Sequence, residues 1–192
     1  MRLFLSALFA AFALAAPAYA ACDLTPTIGA RADARPGQDL MIGLEIANRG
    51  DTPCVGTLES SRAGYMVDIF ISSDRNPPPS WAVNSRTWRE DALLTGGRVS
   101  RTNTVAPGDN FRYGAPSYEI GPMTLPTGIP AGDYFLCAGV DLGHRIAESN
   151  ERNNVACNPL KILPAGVLVP SRPLPRPRPL PTPQPRPSPQ PK

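Results

Sequence analysis

The chain has 192 residues, 25 of them Pro, against the roughly 5 per cent Pro of an ordinary globular domain. Twelve of those prolines fall between Pro164 and Lys192, and five of the 19 basic residues follow Pro170 with no acid among them. Residues 21–170 therefore carry 13 basic and 16 acidic side chains despite the overall +3, and this mildly acidic balance excludes a nucleic-acid-binding domain, which needs a basic footprint.

Residues 1–20 read as a signal peptide. Arg2 supplies a positive start, Leu3 to Ala16 is almost unbroken apolar sequence, and Ala18-Tyr19-Ala20 is a small-x-small cleavage pattern. Cleavage after Ala20 leaves a chain starting Ala21-Cys22, and no later stretch is apolar enough to span a bilayer. A periplasmic or secreted location follows. Cys22 also lies close enough behind the apolar run to raise lipidation as an alternative, although Tyr19 stands where such a signal normally has an aliphatic residue.

Export places Cys22, Cys54, Cys137 and Cys157 where disulfides persist. Four cysteines allow three pairings, and the sequence does not choose among them. Cys137 and Cys157 lie on two segments that read as consecutive strands, which would leave Cys22 for Cys54. With no CxxC and one histidine, a zinc site is not expected.

Asp39 to Ala47 is the clearest half-buried strand, with Leu40, Ile42, Leu44 and Ile46 on one face. The turn Asn48-Arg49-Gly50-Asp51 follows, and Tyr65, Val67, Ile69 and Ile71 form the next alternating set. Prolines 77–79 exclude a central strand there. Ala92 to Leu94 is expected to enter the core, Val99 to Val105 to form a strand, and Phe111 to Tyr113 and Tyr118 to Leu125 to form short ones. Gly132 to Val140 puts Tyr134, Leu136, Ala138 and Val140 on one face, and Val155 to Leu163, interrupted by Pro159, is the last strand beside it. Six to eight short strands without a helix read as one antiparallel β-sandwich over residues 22–168.

Three blocks in order, Leu40 to Gly50, Tyr65 to Ser73 and Gly132 to Asn154, resemble the bacterial CARDB domains, an immunoglobulin-like family described as cell-adhesion related. The last block carries the pattern most fully. A tyrosine-containing strand ending in Asp is followed by an acidic turn and an Asn pair, here at Tyr134, Asp141, Glu148, Asn150, Glu151, Asn153 and Asn154. The resemblance implies an immunoglobulin-like antiparallel sandwich of about seven strands, used for adhesion, spacing or accessory roles and not for catalysis. The segment 74–127 is longer than in a minimal member, and the cysteines are no part of the family pattern.

Asp141, Glu148, Asn150, Glu151, Asn153 and Asn154 form the densest polar group, and their oxygens suit calcium if they converge on one point. Their spacing matches no calcium loop, however, and side-chain bonds to turn backbone are the preferred reading; no cofactor is expected. His144 has no nucleophile on a strained Gly-x-Ser-x-Gly turn to serve and reads as an exposed loop residue. Arg49-Gly50-Asp51 spells an integrin-type tripeptide, but the turn alone accounts for Gly50 and Asp51. Trp81, Arg86, Trp88 and Arg89 are the candidate aromatic and basic binding patch, with core packing of the tryptophans as the alternative.

Residues 169–192 form the Pro- and Arg-rich tail. From Pro173 to Pro191 every odd position is Pro, so the tail is expected to be disordered or rod-like, reaching close to 60 Å at about 3.1 Å per residue. Period two on a threefold helix gives no single docking stripe. The tail reads as a spacer, with weak electrostatic contact to an anionic surface as a second role. The whole reads as a non-catalytic binding or adhesion module with an envelope protein or glycan as partner, or alternatively as an accessory spacer with no ligand of its own.

Overall fold

The computed structural model describes residues 21–76, 89–113 and 122–165. The leader, the tail, Trp81, Arg86 and Trp88 lie outside them. Among the described residues are ten strands: β1 (Leu24–Gly29), β2 (Asp33–Ala34), β3 (Asp39–Leu40), β4 (Gly43–Asn48), β5 (Val67–Ser72), β6 (Asp91–Val99), β7 (Asn110–Tyr113), β8 (Met123–Thr124), β9 (Gly132–Val140) and β10 (Val155–Ile162). They make a three-stranded sheet, β1-β4-β7, and a seven-stranded sheet, β2-β10-β9-β5-β6-β8-β3.

Alternation explains how the two sheets share a core. Leu24 and Ile28 of β1 and Leu44 and Ile46 of β4 meet Val67, Ile69 and Ile71 of β5, Leu94 of β6 and Leu136, Ala138 and Val140 of β9 in one buried cluster. Each strand contributes every second side chain to it, as the pleat requires.

The strand expected over Asp39 to Ala47 is two strands. Leu40 pairs with Met123 in the large sheet, whereas Leu44 and Ile46 pair with Tyr113 and Phe111 in the small one. The chain crosses between sheets at Met41-Ile42. The inward face survives the crossing, because Leu40, Ile42, Leu44 and Ile46 are all buried while Met41 is 80% exposed.

β5 is central to the large sheet and buried on both faces. Its second face joins Phe70 to Leu93 and Cys137, with Phe135, Leu142, Val155 and Cys157 packed alongside. The Cys137–Cys157 disulfide lies in this outer cluster, linking residues directly opposite each other on β9 and β10. Their Cα atoms are 4.1 Å apart, the close spacing of a non-hydrogen-bonded antiparallel pair.

That parity also accounts for Pro159. It pairs with Phe135 two residues along, hence in the same class of pair, so its nitrogen points away from β9. On that other side β2 pairs only with Lys161 and Ile162. No ladder bond is lost, and β10 runs through the proline without the expected interruption.

Two further expectations are corrected. The β2–β10 pair is parallel, so the sandwich is not wholly antiparallel. A strand over Val99 to Val105 does not form: β6 ends at Val99, and residues 100–105 instead bond to the segment 54–58. Thr102 and Thr104 hydroxyls accept the backbone N–H groups of Thr57 and Gly56, and Leu58 N–H donates to the Thr102 carbonyl. Threonine side chains here compete successfully with a strand ladder. Ala92, Leu93 and Leu94 do enter buried positions.

Candidate functional site

The block Asp141 to Asn154 forms the β9–β10 connection, and its polar side chains serve mostly to hold that connection and the N-terminal segment together. Asp141 leaves β9 in the left-handed region, with φ of 48°. This turns its carboxylate back over the chain, where one oxygen accepts Arg145 N–H at 3.1 Å and the other Ile146 N–H at 2.9 Å. Burial raises the Asp141 pKa, and the two backbone bonds oppose that rise.

Glu148 reaches further. One oxygen accepts the backbone N–H of Leu24, and the other accepts Asn154 Nδ2 at 2.7 Å. Desolvation pushes its carboxyl up to about 7, against the lowering by those two bonds. Asn153 Nδ2 donates to Asp23 at 2.7 Å, and Ser149 N–H donates to the Cys22 carbonyl at 2.8 Å. The connection thus grips residues 22–24 at three points.

The other expected calcium ligands are engaged as well. Asn150 accepts Arg152 N–H, while Glu151 accepts Glu148 N–H and lies 2.8 Å from His144 Nδ1. Among the described residues no group of three or more His, Cys, Asp or Glu side chains is arranged to hold a metal ion. Asn153 Oδ1 and Asn154 Oδ1 are buried without a hydrogen-bond partner. The carboxylates of Asp141, Glu148 and Glu151 each accept hydrogen bonds from within the fold.

His144 is exposed in the turn with φ of 47°; its N–H donates to the Asp141 carbonyl at 2.8 Å and its ring lies against Glu151. Arg89 is exposed beside β6; its three companions in the expected patch fall outside the described residues.

Arg49-Gly50-Asp51 also holds the N-terminal segment. Arg49 N–H donates to the Asp23 carbonyl at 2.7 Å, and Asp51 N–H to the Ala21 carbonyl at 3.1 Å. The Asp51 carboxylate accepts Ala21 N–H at 2.7 Å. A Cβ on Gly50 would stand 2.1 Å from the Ala21 carbonyl oxygen, so only glycine allows this approach. The tripeptide is a clamp for residues 21–23.

Asn48, read from the sequence only as a turn residue, is the hub behind that clamp. It is fully buried, accepts the N–H groups of Asp23 and Gly50, and donates to the carbonyls of Thr52 and Val105. The Asn-Arg-Gly-Asp spelling signals a side-chain-bonded turn, but nothing local identifies Asp23 and Val105 as partners. Cys22 joins Cys54 in the second disulfide, so its sulfur is not available to a lipid.

Around this clamp opens a groove of about 860 Å³, lined among others by Ala21, Pro53, Val55, Ala63, Ile146 and Ser149. Arg145 borders it, with its guanidinium donating to the Ser61 carbonyl at 2.7 Å. The surface is mixed in character. Both oxygens of Glu148, which lines the groove, hold the scaffold.

No family model and no curated protein matches the chain by sequence. Among solved structures it is similar to a CARDB domain from Pyrococcus furiosus crystallised in complex with di-metal ions, with TM-score 0.44, 18% identity, and coverage of 75% of this chain and 96% of that one. The solution structure of the same archaeal domain matches with TM-score 0.43 and 17% identity, covering 74% of this chain and 95% of that one. A β-glucosidase from Erythrobacter marinus matches with TM-score 0.34 and 15% identity, over 74% of this chain but 16% of the enzyme. The solved structures similar to this chain thus include CARDB domains, the family its Gly132 to Asn154 block resembles.

Proposed function

We propose that the protein is an exported, non-catalytic binding or adhesion module of the bacterial envelope, acting in the periplasm or outside the cell. It meets an envelope protein or glycan through the end of the sandwich where the β9–β10 connection, residues 52–63 and the N-terminal segment surround the groove. The observation that carries this reading is how the polar groups are spent. The densest polar block of the chain is bonded inward, which makes a rigid frame, and the open surface left beside it is a groove and not a reactive constellation.

The tail from residue 169 sets the module at a distance from whatever holds it, with its basic residues in weak contact with an anionic surface. Affinity capture from native envelopes tests both parts. The full mature chain, a form ending at Pro170, and the groove variants Ala63→Arg and Ser149→Arg are compared. Partners kept by the shortened form and lost from the groove variants support the reading. Capture that depends only on the tail, or stable incorporation into an envelope complex with no groove dependence, overturns it in favour of an accessory spacer.

A further inference from the structure

We infer that Asp51 is the seat of a free α-ammonium group at Ala21, and that the domain is built to be completed by cleavage of the Ala20–Ala21 bond. In that step water adds across the peptide bond under a signal peptidase of the export machinery. Ala20 departs with a carboxylate, and the Ala21 nitrogen, taking up protons, becomes an ammonium.

Three observations place a receptor at that nitrogen. Ala21 N lies 2.7 Å from the Asp51 carboxylate, the distance of a charge-assisted N–H···O bond. Asp51 N–H returns to the Ala21 carbonyl at 3.1 Å, so the same residue grips Ala21 at both ends. The flanking chain is fixed by the Cys22–Cys54 disulfide, by Ser149 N–H on the Cys22 carbonyl, and by the close seat over Gly50. A peptide nitrogen brings one hydrogen and no charge to this site. An ammonium brings three hydrogens and the charge opposite to that of Asp51.

The position also separates two processing routes. Lipoprotein maturation would make Cys22 the first residue, delete Ala21 and leave the Asp51 carboxylate without this partner. Cleavage after Ala20 keeps Ala21 and fills the seat.

The inference rests on the export reading only for removal of the leader, and its test is independent of any envelope partner. Intact-mass measurement of the protein recovered from exporting cells is expected to show a chain beginning at Ala21. The purified mature chain and its Asp51→Asn variant are then unfolded in urea, each with a free and with an acetylated N-terminus. The substitution is expected to lower the folding equilibrium constant roughly two- to fivefold in the free form, the scale of an exposed ion pair, and by clearly less in the acetylated form. A mature chain starting at any other residue overturns the inference. So does an Asp51→Asn cost that is equal in the free and acetylated forms.

Discussion

Glu148, in the connection between β9 and β10, accepts the backbone N–H of Leu24, a residue 124 positions earlier in the chain. Leu24 is fully buried and opens β1, so this carboxylate caps the first strand of the small sheet from a loop of the large one. With Asn154 on its other oxygen, Glu148 couples the two layers of the sandwich where hydrophobic packing gives way to loops.

Glu148→Ala is therefore expected to destabilise the domain by about 1–3 kcal/mol, because it leaves a buried backbone donor and the Asn154 amide without acceptors. Glu148→Gln is expected to recover only part of this, since its amide presents one acceptor where two are needed. Urea unfolding at fixed pH reads both as shifts in midpoint. Equal stability of wild type and Glu148→Ala would refute the coupling.

The same residue gives a pH dependence of definite sign. Burial pushes the Glu148 carboxyl up to about 7 from the ordinary 4.5, so between those values the folded chain holds a proton that the unfolded chain has released. Its contribution is fully present below about 4.5 and is lost as pH rises through about 7. Asp141 and Asp91 are also raised by burial, so they act in the same direction. Stability is expected to fall between pH 5 and pH 7.5, with a shallower fall in Glu148→Gln. Urea midpoints across that range check it, and a rise with pH in the wild type would contradict the assignment.

The two disulfides give a third expectation. They close segments of 32 and 20 residues, for which loop entropy predicts a stabilisation of about 3–4 kcal/mol each. Their losses are expected to differ in kind. Cys22→Ser with Cys54→Ser frees the N-terminal segment and should open amide exchange in β1 first. Cys137→Ser with Cys157→Ser removes a link between strands already paired along their length, and should lower global stability with little local opening. Hydrogen exchange followed by mass spectrometry separates the patterns.

These contrasts mark what was legible in the sequence. Apolar alternation found the inward faces of β4, β5 and β9, because side-chain direction along a strand is a local property. It missed β1, where Pro26 sits mid-strand among threonines. An edge strand paired only with β4 tolerates that proline, and edge position is decided by the rest of the fold. The break at Met41-Ile42 was hidden for the reverse reason, since the chain changes sheets without changing its inward face. At the candidate site, the turn-forming role of Asp141 and Asn150 follows from their type and spacing. That Glu148, Asn153 and Asn48 reach the N-terminal segment depends on contacts spanning between 25 and 130 residues, which no local pattern encodes.

Gly50 tests the clamp from its other side. Its φ is not in the left-handed region, so substitution is opposed by space and not by backbone preference. An added Cβ would meet the Ala21 carbonyl oxygen at 2.1 Å, and Asp23 N and the Cys22 carbonyl carbon at 2.8 Å. All three are backbone atoms, held by the Cys22–Cys54 disulfide and by the Ser149 bond, so none can swing aside as a side-chain tip would. Relief requires the whole 21–23 segment to lift, breaking the Arg49–Asp23 and Asp51–Ala21 backbone bonds together. Gly50→Ala is expected to cost about 1–3 kcal/mol, the range for overpacking against a fixed neighbour. Gly29→Ala at the end of β1 is the matched control: its Cβ would meet nothing within 4 Å, and the change is expected to stay within about 0.5 kcal/mol. Thermal or urea unfolding of the two variants decides the matter, and equal costs at Gly50 and Gly29 would show that the N-terminal segment is not seated on the turn.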